Sequence, residues 1–439
     1  MGCNPRRIAR DLAMLVSMIE MLSVSDRVAR LKPSVTVAIT NRAKQLRAGG
    51  VDVLGFAAGE PDFDTPEPIK AAARKAMDEG QTKYMPTLGD AQTRGVIARK
   101  LIEENGIEGL TEEHVAISAG GKHALYVALH CLLDPPAPGD EPQEVIYPVP
   151  AWVSYRPITE LAGGRVVEID TDPDSGYKMT PEQLAAAITP RSRVLILNSP
   201  SNPCGTMYTP DELRAIAAVV ADKASSTAPG LVIVSDEIYE KIVFGGVEQF
   251  SIGSVPEVAD RTLTLNGLSK SYAMTGWRIG YTAMPGEFGR TLIKSMGTLQ
   301  GQMTTNITSF CYPAIRCALT DPAVAEAVEQ MRQAFAARAK LIHQRLSEIE
   351  QVRCPEPTGA FYAFPDVSAL FGRTSAGGKI IGSALDLSEA LLDEALVAVV
   401  PGEDFGGCGC DCVRISFACS EAQINEGMDR FAAFVEQMS

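Results

Sequence analysis

Short apolar runs alternate with helical stretches from about residue 114 onward, and this alternation constrains the fold more than any other feature. The runs that predict strands cover residues 114–118, 144–147, 165–169, 193–197, 231–235, 261–265 and 278–283. Several are apolar on both sides, as in a parallel sheet that helices cover on both faces. One intervening segment begins with Thr209 and Pro210, a helix cap followed by a proline suited to the first turn. The sequence therefore predicts an α/β domain with a mostly parallel seven-stranded sheet between helices.

The pattern changes after residue 321, and the change predicts a second domain. A long, charge-dotted helical stretch reaches residue 350, and apolar runs follow at 360–364, 397–400 and 413–418 with two further helices among them. Residues 24–64 precede the sheet and lack its alternation. We therefore expect an N-terminal extension (1–23), a large domain (65–309) and a smaller, discontinuous α+β domain (24–64 and 310–439).

The charge balance argues against two classes of binding partner. Forty Lys and Arg residues against 54 Asp and Glu residues give a net charge of −14, which opposes binding to nucleic acid or to an anionic membrane. No apolar run is long enough for a membrane span, and the first 22 residues lack the pattern of a secretory signal. We expect a small-molecule enzyme of the cytoplasm, or of an organelle if residues 1–23 are a targeting segment.

Cysteine and histidine form no metal-site pattern. Ten cysteines are too few for a disulfide scaffold in a chain of 439 residues, and seven of them stand isolated, as small buried residues do. The other three, Cys408, Cys410 and Cys412, have C-x-C-x-C spacing and lack the C-x2-C loops of zinc sites. The histidine spacing does not favour a zinc hydrolase, and no G-x-S-x-G turn favours a serine hydrolase. We therefore expect no metal.

A lysine after the sixth predicted strand is the most informative residue. Lys270 stands in N-G-L-S-K-S-Y-A-M-T-G-W-R-I-G, eight residues before Arg278. Burial in a cleft lowers the pKa of a lysine and makes it an amine nucleophile that can form a Schiff base, whereas a surface lysine has no such role. Arg278 offers a planar fork for a phosphate. Gly120 and Gly121, before a helix, offer free backbone N–H groups, although such a pair also serves packing alone.

Four further residues follow predicted strand ends, where ligands of parallel α/β sheets bind. Asp236 ends a buried strand, and it can pair with a protonated pyridine nitrogen or cap the next helix. Tyr239 can donate a hydrogen bond to a ring oxygen. Asn202 lies in a proline-rich turn and Trp152 can stack on a flat ring, although turn formation and core packing also explain these two residues. Together with Lys270 they predict a pyridoxal phosphate site.

Six segments together resemble the class I aminotransferases of fold type I. They are A-G-E-P-D-F-D-T-P (58–66), N-S-P-S-N-P-C-G (198–205), S-D-E-I-Y-E (235–240), S-K-S-Y-A-M-T-G-W-R-I-G-Y (269–281), G-A-F-Y (359–362) and V-R-I-S-F-A (413–418). They stand in the family's order and spacing. Within the family the chain is most similar to the aspartate/prephenate aminotransferases, through L-K-P-S-V-T (31–36) and G-G-K (120–122).

This resemblance implies a homodimer that uses pyridoxal 5'-phosphate to move an amino group between an amino acid and a 2-oxo acid by a ping-pong mechanism. The catalytic residues that it implies are Lys270, Asp236 and Tyr239. The cofactor-binding residues that it implies are Gly120, Gly121, Lys122, Trp152, Asn202, Asp236, Tyr239, Lys270, Arg278 and, from the neighbouring subunit, Tyr84. The substrate-binding residues that it implies are Gly59, Asn202, Arg414, Lys122 and Thr36, the last with Lys122 for a second carboxylate.

The sequence leaves the exact reaction open at two points. Aspartate, glutamate and arogenate all remain candidate amino donors. Another fold type I enzyme, such as a carbon–sulfur lyase or an aminocyclopropane-carboxylate-type synthase, has the same ring site and remains an alternative.

The Gly- and Cys-rich segment 406–412 departs from the family pattern just before Arg414, which leaves the local geometry around that arginine open.

Overall fold

The computed structural model describes residues 24–31 and 35–439, and of residues 35–38 the backbone alone. The expected N-terminal extension, residues 1–23, lies outside the described residues. A short helix, Asp26–Ala29, belongs to one unit of the chain, and Val35–Ser439 form a second unit. The elements of this second unit position the site.

The strands of Val35–Ser439 form three sheets. In chain order they are β1 (Leu54–Gly55), β2 (Val115–Ser118), β3 (Glu144–Val149), β4 (Arg165–Asp170), β5 (Ser192–Asn198), β6 (Val232–Asp236), β7 (Thr262–Gly267), β8 (Gly280–Ala283), β9 (Tyr362–Ala363), β10 (Val397–Ala398), β11 (Val400–Pro401) and β12 (Val413–Ser416). The seven predicted strands are β2 to β8, and they pair in the order β2-β8-β7-β6-β5-β3-β4. Six strands of this sheet run in the same direction and β8 runs opposite to them, so the predicted mostly parallel sheet is confirmed.

Helices cover these sheets. Those of eight residues or more are Val35–Ala48, Glu67–Asp78, Ala91–Asn105, Gly121–Leu132, Pro210–Ser226, Gly286–Gly301, Cys311–Thr320, Pro322–Ser347, Ala384–Glu394 and Glu421–Glu436, and two shorter ones are Tyr155–Leu161 and Pro181–Ala187. The expected cap of Pro210–Ser226 is confirmed, because the Thr209 hydroxyl accepts from Glu212 N–H at 3.3 Å. None of the described helices is long and apolar enough to cross a bilayer. The compartment stays a prediction.

The register of the large sheet brings several chain segments to one edge. Because β8 is antiparallel to both neighbours, Gly280 at its start pairs with Gly267 of β7 and with Ser118 of β2, at the carboxyl ends of those strands. The ends of β5 and β6 lie beside each other, where Asn198 pairs with Asp236. The segments that follow these strand ends therefore meet at one edge, as the sequence predicts.

The C-terminal part of the chain contains the elements expected of an α+β domain. Strands β9, β11 and β12 form a three-stranded sheet, and β1 pairs with β10. A buried apolar cluster joins this region to the segment that precedes the large sheet, because Leu54 and Phe56 pack with Phe361, Phe417 and Phe431. The boundaries between a large and a small domain stay a prediction.

Candidate active site

A cavity of about 230 Å³ contains most of the residues that the sequence singles out. The predicted site residues in its walls are Gly59, Gly121, Lys122, Trp152, Asn202, Asp236, Tyr239, Lys270, Arg278 and Arg414. Gly120 lies beside them and caps the helix Gly121–Leu132. Tyr84 stands apart, with 88% of its surface exposed. The side chain of Thr36 lies outside the described residues.

Asp236 is a buried carboxylate at the end of β6. Its Oδ2 accepts a hydrogen bond from the Tyr155 hydroxyl at 2.7 Å, and its Oδ1 accepts one from the Ile238 N–H at 3.3 Å. Burial raises the pKa of Asp236 to about 6, although these two hydrogen bonds oppose the rise. Among the side chains that the structure describes, no Lys or Arg forms an ion pair with it. A cationic ring nitrogen would supply the missing countercharge.

Lys270 lies three residues after the end of β7 and lines the same cavity as Asp236. Its Nζ donates to the Gly59 carbonyl and lies 5.8 Å from the centroid of the Phe361 ring. Desolvation and then the charge of Arg414 lower the pKa of Lys270 to about 8. A larger fraction of this amine is therefore neutral near pH 7 than for an ordinary lysine, as an amine nucleophile or base requires.

Arg278 approaches the start of the helix Gly121–Leu132, an arrangement whose chemistry suits a phosphate. The Arg278 backbone has φ 58°, in the left-handed region, and its Nη1 donates to the Thr275 carbonyl at 2.9 Å. A Cβ at Gly120 would collide with the guanidinium of Arg278. Glycine is therefore required for this approach, which places a guanidinium beside the first turn of a helix, whose N–H groups have no partner within the helix.

Arg414 is a buried cation on β12 with unused hydrogen-bonding capacity. It is 5% exposed, and its guanidinium donates to Asn202 Oδ1 at 3.0 Å and to the Ala57 carbonyl at 3.1 Å. Its Nε is buried without a partner among the described residues. The Tyr362 ring lies 4.8 Å from the guanidinium carbon. This fork suits the planar carboxylate of a ligand.

The cysteine-rich segment before Arg414 leaves β12 intact. Val413 pairs with Pro401 and Ile415 with Ala363, so both neighbouring strands hold the arginine in register. The thiols of the segment contact different neighbours: Cys408 Sγ lies 3.1 Å from the Val149 carbonyl, and Cys412 Sγ lies 3.2 Å from the Tyr177 hydroxyl. Cys410 is exposed. Within the described residues no group of His, Cys, Asp and Glu is arranged to hold a metal ion.

Two tyrosines of the site were missed by the sequence reasoning. Tyr155 begins the helix Tyr155–Leu161, and its ring packs edge-on against Trp152 with centroids 5.4 Å apart. Tyr362 is 1% exposed, and its hydroxyl lies 3.2 Å from that of Tyr239. A signal existed for both, because Tyr155 follows Trp152 by three residues and Tyr362 ends the G-A-F-Y segment.

The chemistry of these donors fits pyridoxal phosphate. Asp236 suits a protonated ring nitrogen, and Arg278 with the helix start suits a phosphate. Trp152 offers a flat face beside the cavity, and Lys270 offers an amine of lowered pKa. The cavity is also rich in positive charge, because its walls contain four basic side chains and one acidic side chain, Asp236. Such a cavity favours anionic ligands.

The chain is similar to known aminotransferases over nearly its whole length. Residues 51–431 match the family model described as aminotransferase class I and II. An aspartate/prephenate aminotransferase of Cereibacter sphaeroides is 45% identical over 95% of this chain and 100% of its own length. An aspartate aminotransferase of Geobacillus stearothermophilus is 44% identical over 94% of this chain and 99% of its own length.

Solved structures are similar over the same extent. The aspartate aminotransferase of Rhizobium meliloti has a TM-score of 0.87 and 37% identity, covering 95% of this chain and 100% of that one. The aspartate aminotransferase of Thermus thermophilus, in a structure with maleate, has a TM-score of 0.84 and 39% identity, covering 94% of this chain and 100% of that one. These similarities confirm the predicted fold.

Proposed function

Because this chain belongs to the class I and II aminotransferases, we propose that its amino donor is a dicarboxylic amino acid such as aspartate, glutamate or arogenate. Members of this family use pyridoxal 5'-phosphate and transfer the amino group to a 2-oxo acid, as the sequence predicts. The observation that carries the proposal about the donor is Lys122, a cation in the wall of the cavity that no described acidic side chain neutralises.

The roles of the reacting residues follow from their surroundings. Bound pyridoxal phosphate supplies an electron-withdrawing ring. Asp236 would keep a proton on the nitrogen of that ring, and Tyr239 would donate a hydrogen bond to the ring oxygen. Lys270 Nζ would act as the base that takes the proton from the substrate's α-carbon, which its lowered pKa permits near neutral pH. Arg278 and the start of the helix Gly121–Leu132 would hold the phosphate of the cofactor.

The charges of the cavity leave one cation for a second carboxylate. Arg278 is assigned to the phosphate, Arg414 to the α-carboxylate common to all amino acids, and Lys270 acts as an amine. Lys122 is then the remaining basic side chain, and its Nζ lies 5.0 Å from the centroid of the Trp152 ring. Desolvation and the charge of Arg278 lower the pKa of Lys122. A carboxylate of the substrate next to Lys122 would raise its pKa again, because an anion stabilises the charged form of the lysine.

The relatives support this assignment. Aspartate is part of the names of both the Cereibacter and the Geobacillus relatives, and the Thermus structure was solved with maleate, a dicarboxylate. Prephenate, named with the Cereibacter relative, also carries two carboxylates. The sequence-based expectation that Thr36 assists Lys122 remains a proposal.

Comparison of acidic and neutral donors tests the proposal. Aspartate, glutamate and arogenate are each offered with 2-oxoglutarate, oxaloacetate or prephenate, and the same assay is run with alanine and phenylalanine. Lys122→Ala is expected to raise the KM for aspartate and glutamate about tenfold or more while leaving that for alanine nearly unchanged, because only acidic donors lose a charged partner. Lys340→Ala, at an exposed helix position, is the matched control. Equal losses for acidic and neutral donors would overturn the proposal.

We also propose that the chain works as a homodimer. Tyr84 supports this, because a large aromatic side chain that is 88% exposed is suited to contact with a second subunit. The resemblance to the family implies that its hydroxyl reaches the phosphate bound by the neighbouring chain. Sedimentation of the holoenzyme as a dimer, with a monomer as the contrary result, tests the assembly.

A further inference from the structure

The last residue of β6 and the turn that follows it present their side chains in two directions. Asp236 and Tyr239 line the active-site cavity, whereas Glu237 and Glu240 lie in a buried polar cluster. The backbone explains this division, because the Glu240 N–H donates to the Glu237 carbonyl at 3.0 Å, and residues three apart in such a turn share one side. Contacts that hold the two glutamates therefore also fix the direction of Asp236 and Tyr239.

The two glutamates belong to what we call the Glu237 cluster, which consists of Lys100, Asn105, Ser235, Glu237, Glu240 and Ser251, all buried. Lys100 Nζ contacts the Glu240 carboxylate and donates to Asn105 Oδ1 at 2.8 Å. Asn105 Nδ2 donates to Glu237 Oε2 at 3.0 Å and to Glu240 Oε2 at 2.9 Å. The amide therefore bridges the two carboxylates, and Lys100 neutralises one of them.

Two serines complete the cluster. Ser235 and Ser251 donate to Glu237 Oε1 at 2.8 Å and 2.6 Å. All four carboxylate oxygens of Glu237 and Glu240 thus accept a hydrogen bond or contact the lysine. A fully satisfied buried network of this kind has one defined geometry, because any rotation leaves a buried carboxyl oxygen without a hydrogen-bond partner.

Stability alone is a poor explanation for this cluster. Two carboxylates and one ammonium are costly to bury, and apolar side chains of similar size often serve a core equally well. The charged cluster instead fixes the orientation of the turn that follows β6. It ties the turn to the helix Ala91–Asn105, which supplies both Lys100 and Asn105, while the Glu237 N–H donates to the Leu265 carbonyl of β7 at 2.8 Å.

We propose that the Glu237 cluster positions Asp236 and Tyr239 for reaction, with Lys100, Asn105, Glu237 and Glu240 as positioning residues that do not themselves line the active-site cavity. The inference rests on the proposed function, because it assumes that Asp236 and Tyr239 act on the ring of pyridoxal phosphate. These positioning residues connect the active site to the helix Ala91–Asn105, which lies on the side of the turn away from the cavity.

Two variants with the same chemical change separate positioning from stability. Glu240→Gln removes one charge from the Glu237 cluster. Glu144→Gln removes one charge from a buried carboxylate at the start of β3, away from the cavity, where Glu144 is 1% exposed and accepts from Arg165 at 2.5 Å and Arg191 at 3.0 Å. Four quantities are measured for each variant: the melting temperature, kcat for aspartate, KM for aspartate, and the Kd of pyridoxal phosphate for the cofactor-free protein.

Glu240→Gln is expected to lower kcat and to weaken pyridoxal phosphate binding, each by about tenfold or more, with the KM for aspartate nearly unchanged. Glu144→Gln is expected to lose a similar amount of thermal stability while kcat and the Kd stay within about twofold of the wild type. Equal effects of the two variants on kcat and the Kd would overturn the proposal.

A double variant covers the case in which Glu240→Gln does not fold. Lys100→Met with Glu240→Leu replaces the ion pair by apolar side chains, which is expected to recover most of the stability but not the position of the turn. A kcat that recovers together with the melting temperature would overturn the proposal. A wild type that binds pyridoxal phosphate but transfers no amino group would instead overturn the proposed function, and the Kd comparison would still test the cluster.

Discussion

The hydroxyl of Tyr155 donates a hydrogen bond of 2.7 Å to Oδ2 of Asp236, and both side chains are buried. This bond opposes the effect of burial on the Asp236 pKa. We therefore expect Tyr155→Phe to raise that pKa further and to lower kcat by about 10- to 100-fold, the value of a hydrogen bond to a charged group. Tyr147→Phe, another buried tyrosine whose ring lies 5.7 Å from that of Tyr155, is the control.

The pH dependence of pyridoxal phosphate binding to the cofactor-free protein is the measurement for this pair of variants. Affinity is expected to fall as the pH drops and Asp236 takes up a proton, and this fall should begin at a higher pH in Tyr155→Phe than in the wild type. Identical profiles for the wild type and the variant would mean that Tyr155 does not tune Asp236.

Asp236→Asn should change how stability depends on pH. The pKa of Asp236 is raised from 3.8 to about 6, so between these values the folded state holds more protons than the unfolded state, and stability falls as the pH rises. Asparagine does not titrate. Relative to the cofactor-free variant, the cofactor-free wild type should therefore lose about 2 kcal/mol of unfolding free energy between about pH 4 and pH 7. Denaturant titrations at each pH provide the difference, and a constant difference would contradict the buried carboxyl.

Lys270→Ala should lose the visible absorption of the bound cofactor and all measurable turnover while remaining folded. In the wild type, the rate at which the cofactor-free protein captures pyridoxal phosphate should rise with pH up to about 8 and then level, because the neutral amine is the nucleophile and the Lys270 pKa is about 8. Stopped-flow absorption measures this rate. A rate that keeps rising toward about pH 10 would assign the reaction to an ordinary lysine.

Arg414→Lys should affect every donor alike. Its guanidinium is held by Asn202 and the Ala57 carbonyl, and the α-carboxylate that we assign to it is common to all amino acids. The KM for aspartate and that for alanine should both rise, by about 10- to 100-fold, because an ammonium cannot reproduce the planar fork. Steady-state kinetics of the wild type and the variant with both donors measure these KM values. A loss confined to aspartate would exchange the roles of Arg414 and Lys122.

Tyr84→Phe should weaken pyridoxal phosphate binding several-fold without loosening the dimer, if the hydroxyl reaches the neighbouring phosphate. Titration of the cofactor-free protein and sedimentation of the same sample give the two numbers. In a dimer formed from one Tyr84→Phe chain and one Arg278→Ala chain, the two changes should fall on the same site, which leaves the other site intact. A hybrid with both sites weakened would place Tyr84 in its own chain's site.

Much of the sheet, and the residues that line the cavity, could be predicted from the sequence because the signals are local. Apolar runs of strand length mark β2 to β8, and Asp236 and Lys270 each follow a strand in an apolar setting where a charge is unexpected. The strand order was not predictable in this way, because β2 joins β8 through pairing of residues far apart in the chain.

The supporting contacts were hidden for the same reason. Lys100 meets Glu240 across 140 positions of the chain, and neither residue stands out within its own helix or turn. Tyr155 reaches Asp236 across 81 positions. A single sequence shows which side chains carry chemistry when they interrupt a local pattern, whereas the partners that orient them depend on how distant segments pack.

The positive cavity within a chain of net charge −14 has a consequence for the rate of substrate encounter. A dicarboxylate far from the protein meets net repulsion, and it meets attraction only near the cavity mouth. At about 0.1 M salt, fields are screened beyond roughly 10 Å, so the distant repulsion is removed while the cavity still acts at short range. Physiological ionic strength therefore serves capture better than low salt does, the reverse of what is usual for an enzyme whose whole surface attracts its substrate.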